Sequence, residues 1–361
     1  MDHSREMASG TFLAGDLGGT KTLLAIYGQR GDELKPLHWK RYVSAEWNCL
    51  EDMLRHYLED VPSSLARPAT SCIAVAGPVH DGSAKLTNLP WTLRNQELAK
   101  AADLQRLELV NDFAVLIHGL PHFSQDQQVL LQRPKPGGDA PPSTGGPVAI
   151  LGAGTGLGMA RGVQGVTGWT ALASEGGHRE FAPRTEDEWS LASWLRSDLD
   201  LDRLSVERIV SGTGLGHVMR WQLQRPEGAG HPLQQAAHAW RHTAVDAEGY
   251  QDLPALVAQG AETGDPLARQ ALDLWLGAYG SAAGDLALQE LCSGGLWVGG
   301  GTASKQLNGL RSASFLEPMR RKGRFRPFIE SLTVKAVIDD NAGLFSAACR
   351  ARDLMRMQPD A

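Results

Sequence analysis

With 361 residues, 42% hydrophobic content and a formal net charge of −6, the chain is long enough for two domains with separate cores. It lacks the basic field needed to grip a nucleic-acid backbone, and its densest basic cluster, Arg320-Arg321-Lys322, reads as solvated surface. Cys49, Cys72, Cys292 and Cys349 are far apart with no C-x-x-C spacing, which argues against a thiolate zinc site or a redox pair and fits a reducing compartment.

In chain order, Met1 to Glu6 carries mixed charge without the apolar core of a signal peptide. The uncharged stretch from Ala140 to Ala160 is too rich in Pro and Gly for a membrane span, so a soluble, cytoplasmic protein is expected. Phe12-Leu13-Ala14 and Leu23 to Tyr27 flank Gly15 to Lys21 and read as a hairpin with a glycine-rich turn; Lys35 to Ser44 adds a third strand. Leu50, Met53, Leu54, Tyr57 and Leu58 recur at helical spacing up to Pro62. Ser71 to Ala76 reads as a buried strand stopped by Gly77-Pro78, Gln96 to Ala102 as a helix, Leu107 to Val110 as a strand and Phe113 to Leu120 as another helix.

From Arg133 to Pro147 the composition shifts to Pro, Gly, Ser and Thr, as in a linker or loop. Val148 to Leu151, Gly158 to Val163 and Val166 to Leu172 then repeat the meander with a glycine turn. Helices follow over Glu186 to Leu199, Gly214 to Leu223, Leu233 to Arg241 and Pro266 to Glu290. Leu296-Trp297-Val298 is a short strand closing on Gly299-Gly300-Gly301, and Leu332 to Ile338 is the last strand before a helix over Ala342 to Met355. Strands in a meander followed by strands alternating with helices imply α/β lobes with mixed sheets, and the repetition of that order suggests duplication at the level of fold. The expected domains are 11–133, a linker at 134–147, and 148–355, with the C-terminal helix able to pack back on the first lobe.

The chemistry gathers at four places. Gly15-Asp16-Leu17-Gly18-Gly19-Thr20 offers backbone amides and the Thr20 hydroxyl to a phosphate, although a lone G-G-T also makes an ordinary hairpin turn. Asp16 beside such a loop points to Mg²⁺ held through water. The second loop, Gly152 to Gly158, presents Gly154, Thr155 and Gly156 in the same way; it lacks the G-x-G-x-x-G register, and the chain has no G-x-x-x-x-G-K-[ST], so neither a Rossmann fingerprint nor a Walker loop is supported.

Asp112 stands after an apolar strand and beside Asn111. It suits both a helix N-cap and a general base taking a proton from a hydroxyl that attacks a γ-phosphoryl group. Glu175-Gly176-Gly177-His178 lacks the further ordered ligands that zinc needs, and its carboxylate and imidazole suit the hydroxyls of a polyol better. Glu207 is a candidate to join them, although by itself it reads as a solvated helix residue.

In this order the segments resemble bacterial glucokinases of the hexokinase-type, actin-like ATPase superfamily, from about Phe12 to Met355. They are Gly15 to Thr20, Thr87-Asn88-Leu89-Pro90-Trp91, Val110-Asn111-Asp112-Phe113, Gly152 to Gly158, Glu175 to His178 with Phe181-Ala182-Pro183, Glu207-Arg208 with Ser211-Gly212, and Gly299 to Gly301. The resemblance implies two ribonuclease H-like lobes with a cleft between them, closing over ATP and D-glucose, and Asp112 as base for the 6-hydroxyl. It further implies Asn111, Asp112, Glu175, His178 and Glu207 as sugar ligands, Gly15 to Thr20 and Gly154 to Gly156 as phosphate binders, Gly299, Gly300 and Gly301 at the adenosine, and a homodimer. Lys21 departs from the Asn often found there and matches the related repressor/kinase family, but that family's cysteine-rich zinc motif is missing. The zinc-free branch, with ATP and Mg²⁺ and no zinc, is therefore the expectation. The 133–147 loop has no assigned role.

Overall fold

The computed structural model describes residues 10–31, 33–86, 89–135, 145–166, 168–245 and 247–357. Strands β1 (Thr11–Leu17), β2 (Lys21–Arg30) and β3 (Glu33–Val43) precede helix α1 (Leu50–Asp60) and strand β4 (Thr70–Val75). Three short strands, β5 (Val79–His80), β6 (Ser83–Lys85) and β7 (Thr92–Arg94), lead to α2 (Asn95–Ala101), β8 (Arg106–Asn111), the single turn α3 (Leu116–Gly119) and β9 (Gln128–Gln132). Next come β10 (Val148–Ala153), β11 (Leu157–Gly165), β12 (Gly168–Ser174), α4 (Glu186–Asp198), α5 (Gly212–Gln224), α6 (Leu233–His242), α7 (Leu253–Thr263) and α8 (Pro266–Glu290). The chain ends with β13 (Gly295–Gly299), α9 (Leu307–Leu310), α10 (Ala313–Arg320), α11 (Arg326–Ser331), β14 (Val334–Val337) and α12 (Ala342–Arg356).

Among the described residues, those of Met1–Gln127, Ala160–Ala173 and Asp339–Ala361 form one compact unit, and those of Gln128–Met159 and Ser174–Ile338 another. The division therefore falls at Gln127 rather than at residue 133. The reason is β9, which pairs antiparallel with β14, a partner some two hundred residues away in sequence that no local pattern announces.

In the first unit the sheet runs β3-β2-β1-β4-β8, antiparallel in the meander and parallel from β1 through β4 to β8. The side-chain period of two sends Leu13 and Leu17 to one face, where they meet Leu50, Met53, Leu54 and Tyr57 of α1. Phe12 and Ala14 go to the other, against Leu344, Ala347, Ala348 and Ala351 of α12. A strand buried on both faces reads as a continuous apolar run, and Phe12-Leu13-Ala14 is one. Each Leu so buried contributes about 1.5–3 kcal/mol. α12 is also tied to the sheet by polar bonds. Thr70 Oγ1 donates to the Ala351 carbonyl at 2.8 Å, and Arg350 forks onto Glu108 at 2.8 and 3.1 Å.

The second sheet runs β12-β11-β10-β13-β14-β9, with β10, β13 and β14 parallel. Apart from the added edge strand β9, its order repeats that of the first. Behind it α5, α7 and α8 carry a single large core that includes Trp275, Tyr279 and Leu215. α8 is started by Asp265, whose carboxylate takes the amides of Leu267 and Ala268, with Pro266 in the first turn. Gly280 and Gly284 of α8 leave no room for a Cβ against the carbonyls of Phe315 and Met319, so α10 lies close on it.

Most expected elements lie where the sequence reading puts them, and β9, α7, α9, α10 and α11 come in addition. The helix expected over Phe113 to Leu120 is only one turn long. The sheet β5-β6-β7 is additional, because its strands are too short to carry an alternation. Thr87 and Asn88 of the Thr87 to Trp91 segment, and residues 136–144 of the Pro/Gly loop, lie outside the described residues.

Candidate active site residues

In the first unit the glycine loop is shorter than the sequence suggests. β1 continues to Leu17, so Gly15, Asp16 and Leu17 are strand residues and only Gly18, Gly19 and Thr20 make the turn. Gly15 is buried, and a Cβ there would sit 3.1 Å from Ile73 and 3.2 Å from Leu24; its first role is packing. The turn closes by Gly18 N–H donating to the Lys21 carbonyl at 2.9 Å. Ser44, at the end of the meander, donates its hydroxyl to the Gly18 carbonyl at 2.9 Å and its amide to the Thr20 carbonyl at 3.0 Å. Thr20 and Lys21 remain exposed.

Asp16 projects beside the first turn of α12, where a Cβ on Gly343 would lie 3.2 Å from its Oδ2. Burial raises its carboxyl above the usual range, and the charge of Lys21 partly offsets that. No histidine, cysteine or carboxylate cluster of three or more suited to a metal exists among the described residues.

At the end of β8 the division of labour between Asn111 and Asp112 is clear. Asn111 Oδ1 accepts the amides of Phe113 and Ala114, both at 3.0 Å, while its Nδ2 donates to the Gly77 carbonyl at 3.0 Å and to Asp112 Oδ1 at 3.1 Å. Asn111 Oδ1 thus caps the turn over residues 111–115 that precedes α3, whose own N-cap is Val115. The four bonds use both donors and both lone pairs of the amide. Asp112 is half-buried, and its amide donates to the Val75 carbonyl at 2.9 Å, which locks it to the parallel strand β4.

In the second unit Gly154, Thr155 and Gly156 form the turn between β10 and β11, closed by Gly154 N–H to the Gly156 carbonyl at 2.8 Å. Gly212 N–H, at the start of α5, donates to the Gly154 carbonyl at 2.8 Å, and Thr302 Oγ1 to the Ala153 carbonyl at 2.8 Å. Tyr279 of α8 is fully buried below this turn. Its hydroxyl accepts the Ala153 amide at 3.0 Å and donates to the Gly299 carbonyl at 3.5 Å, and burial raises its phenol above the ordinary range. Gly300 has φ +80°, and a Cβ there would meet the Ala153 carbonyl at 2.6 Å. The Gly299 to Gly301 turn is thus packed directly on the end of β10.

Glu207, distant in sequence from Glu175 and His178, comes together with them. His178 Nε2 lies 3.7 Å from Glu175 Oε2, and its Nδ1 lies 4.0 Å from Glu207 Oε1. The amide of Val206 donates to the Arg179 carbonyl at 2.9 Å, and Glu180 bridges Ser205, so the two segments are laced by backbone. Glu207 Oε2 accepts the Leu157 amide at 2.9 Å, at the exit of the glycine turn. Glu207, its side chain 26% exposed and bonded to the turn backbone, is consequently no solvated helix residue. Glu175 and His178 are mostly exposed. Ser44, Tyr279 and Thr302 escaped the sequence reading because a serine after a strand, a tyrosine inside a 25-residue helix and a threonine after three glycines match no motif.

Compared with known proteins, residues 13–354 match the Glucokinase family model. The chain is 37% identical over 346 residues to a glucokinase of Trichormus variabilis, covering 94% of this chain and 98% of that one. Among solved structures it resembles a glucokinase from an Antarctic psychrotroph (TM-score 0.77, 29% identity, 95% and 99% of the two chains). In fold alone it resembles a ROK family glucokinase from Streptomyces griseus in complex with glucose and AMPPNP (TM-score 0.58, 22% identity, 95% and 99% of the two chains).

Proposed function

Because the chain belongs to the glucokinase family, we propose that it transfers the γ-phosphoryl group of ATP to the 6-hydroxyl of D-glucose, giving glucose 6-phosphate and ADP. The observation that carries this reading is the bond from the Leu157 amide to Glu207. It joins a cluster of acceptors suited to vicinal hydroxyls to the exit of a glycine turn suited to phosphate, which is the adjacency a sugar kinase needs. The glucose and AMPPNP of the Streptomyces griseus structure support the choice of sugar and donor.

In this reading Glu175, His178 and Glu207 accept or donate hydrogen bonds to the sugar hydroxyls and fix which of them is presented for reaction. Asp112 takes the proton of the 6-hydroxyl as its oxygen attacks phosphorus, with Asn111 holding the carboxylate in position. The new O–P bond forms as the bond from phosphorus to the β-γ bridging oxygen breaks, and ADP leaves with that electron pair. The amides of Gly19, Thr155 and Gly156 and the hydroxyls of Thr20 and Thr155 bind phosphate oxygens, while the amides of Gly18 and Gly154 are spent on closing their turns, and Gly299 to Gly301 lie at the adenosine. Asp16 would hold Mg²⁺, which would supply neutralising charge to the phosphates.

The test is ADP formation from ATP and Mg²⁺ with glucose, mannose, fructose, galactose, glucosamine and N-acetylmannosamine. Turnover fastest with glucose is the expected outcome. Turnover with another of these sugars and none with glucose would overturn the substrate, and none with any would overturn the reaction.

A further inference from the structure

Within the first unit a cavity of about 500 Å³ opens beside α12, inside the range of about 300–1,000 Å³ usual for small-ligand pockets. Arg352 lines it and is only 3% exposed. Its Nη2 lies 2.8 Å from His122 Nε2. Its Nε is buried and makes no hydrogen bond, and the carboxylate nearest to it, Asp353 Oδ1, is 3.6 Å away. A buried guanidinium is costly unless it is paired and hydrogen-bonded, and here the pairing is incomplete.

The acids on the cavity wall do not complete it. Glu33 is paired with Lys35 at 3.0 Å, and Asp339 takes Gln127 Nε2 at 2.6 Å and the Asn341 amide at 2.9 Å. Two further donors line the same cavity, the phenol of Tyr27 on β2 and the side-chain amide of Asn341 before α12. The donors thus come from two elements, β2 and α12 with its N-cap Asn341. The rings of Tyr27 and Phe345, 6.4 Å apart at 65°, add apolar walls.

We propose that this cavity is a binding site for a small phosphate monoester of a polyol, with the oxyanion on Arg352, Tyr27 and Asn341. Donors from both β2 and α12 suit a tetrahedral oxyanion better than a planar carboxylate, and arginine is the usual partner for phosphate. The aromatic walls cover the carbon chain, while the outer oxygens of Asp339 and Glu33 remain as acceptors for its hydroxyls. None of these residues is among those assigned to phosphoryl transfer, and the proposal does not rest on that assignment.

Isothermal titration calorimetry of the full chain with glycerol 3-phosphate, and separately with malate as a dicarboxylate of similar size, tests it. Glycerol 3-phosphate should bind the wild type, about tenfold more weakly to Arg352→Gln and several-fold more weakly to Tyr27→Phe and Asn341→Ala, and with unchanged affinity to Glu175→Gln. No binding to the wild type, preference for malate, or equal affinity in a folded Arg352→Gln protein would overturn the proposal. If Arg352→Gln does not fold, Tyr27→Phe and Asn341→Ala decide, since wild-type affinity in both overturns it equally.

Discussion

Asn111 donates from Nδ2 to Asp112 Oδ1 at 3.1 Å while its own Oδ1 caps the turn that follows, so one amide both ends a strand and aims a carboxylate. Asp112→Asn removes the base and keeps the shape. Its kcat should fall by at least about 10²-fold, with glucose affinity changed little. Asn111→Ala leaves two amides without their acceptor and should destabilise the protein by about 0.5–2 kcal/mol while also lowering kcat. Steady-state kinetics, glucose titration by tryptophan fluorescence and urea denaturation separate the two variants. Unchanged turnover in Asp112→Asn would remove it from the mechanism.

A methyl group at residue 156 would lie 2.5 Å from Glu207 Oε2, the oxygen that accepts the Leu157 amide. Gly156→Ala should therefore displace Glu207 and raise the glucose KM by about tenfold or more. Because the effect is routed through Glu207, the double variant with Glu207→Gln should be little worse than the more affected single variant. Additive effects would mean that the turn acts independently of that carboxylate.

Tyr279→Phe deletes one oxygen from the dry interior beneath both glycine turns of the second unit. The Ala153 amide then has no acceptor, at a cost of about 1–3 kcal/mol. The ends of β10 and β13 lose their common anchor, so the ATP KM should rise more than the glucose KM. Equal ATP affinity in the variant and the wild type would confine Tyr279 to stability.

What could be read beforehand followed from local chemistry. Pro266 opens α8 because proline tolerates only a first turn, and Asp265 before it caps the same turn. Gly18-Gly19 marks a hairpin because it stands between two short apolar runs. Glu175 and His178 were legible as a polyol-binding pair, but Glu207 was only a candidate to join them, since the backbone lacing at Arg179 and Val206 leaves no periodic trace. Gly15 was read as a turn residue because its sequence neighbours are glycines. Only the packed side chains of Leu24 and Ile73 reveal that it is a strand residue kept small. β9 was missed for the same reason in reverse, as its partner β14 supplies the pattern that its own five residues cannot.

Two buried histidines set the acid side of the stability profile. Burial lowers His217 from the ordinary 6.5 to about 4 and His118 from 6.5 to about 3, and the Nδ1 of each is buried without a partner. Both bind fewer protons folded than unfolded, so acid favours unfolding. Their destabilising effect is absent well above pH 6.5, begins as pH falls below that value and grows until pH reaches the folded-state values. Each adds up to about 1.4 kcal/mol per pH unit, so in the interval from about 6 to 4 the pair should dominate the slope. Carboxylates such as Asp198, held low by hydrogen bonds from Arg220, act in a different window, because their stabilisation is lost only below the ordinary carboxylate range. Urea denaturation at a series of pH values should show stability falling from pH 6.5 toward 4, and His217→Leu should remove about half of that slope. A slope the substitution leaves intact would assign the acid sensitivity to other groups.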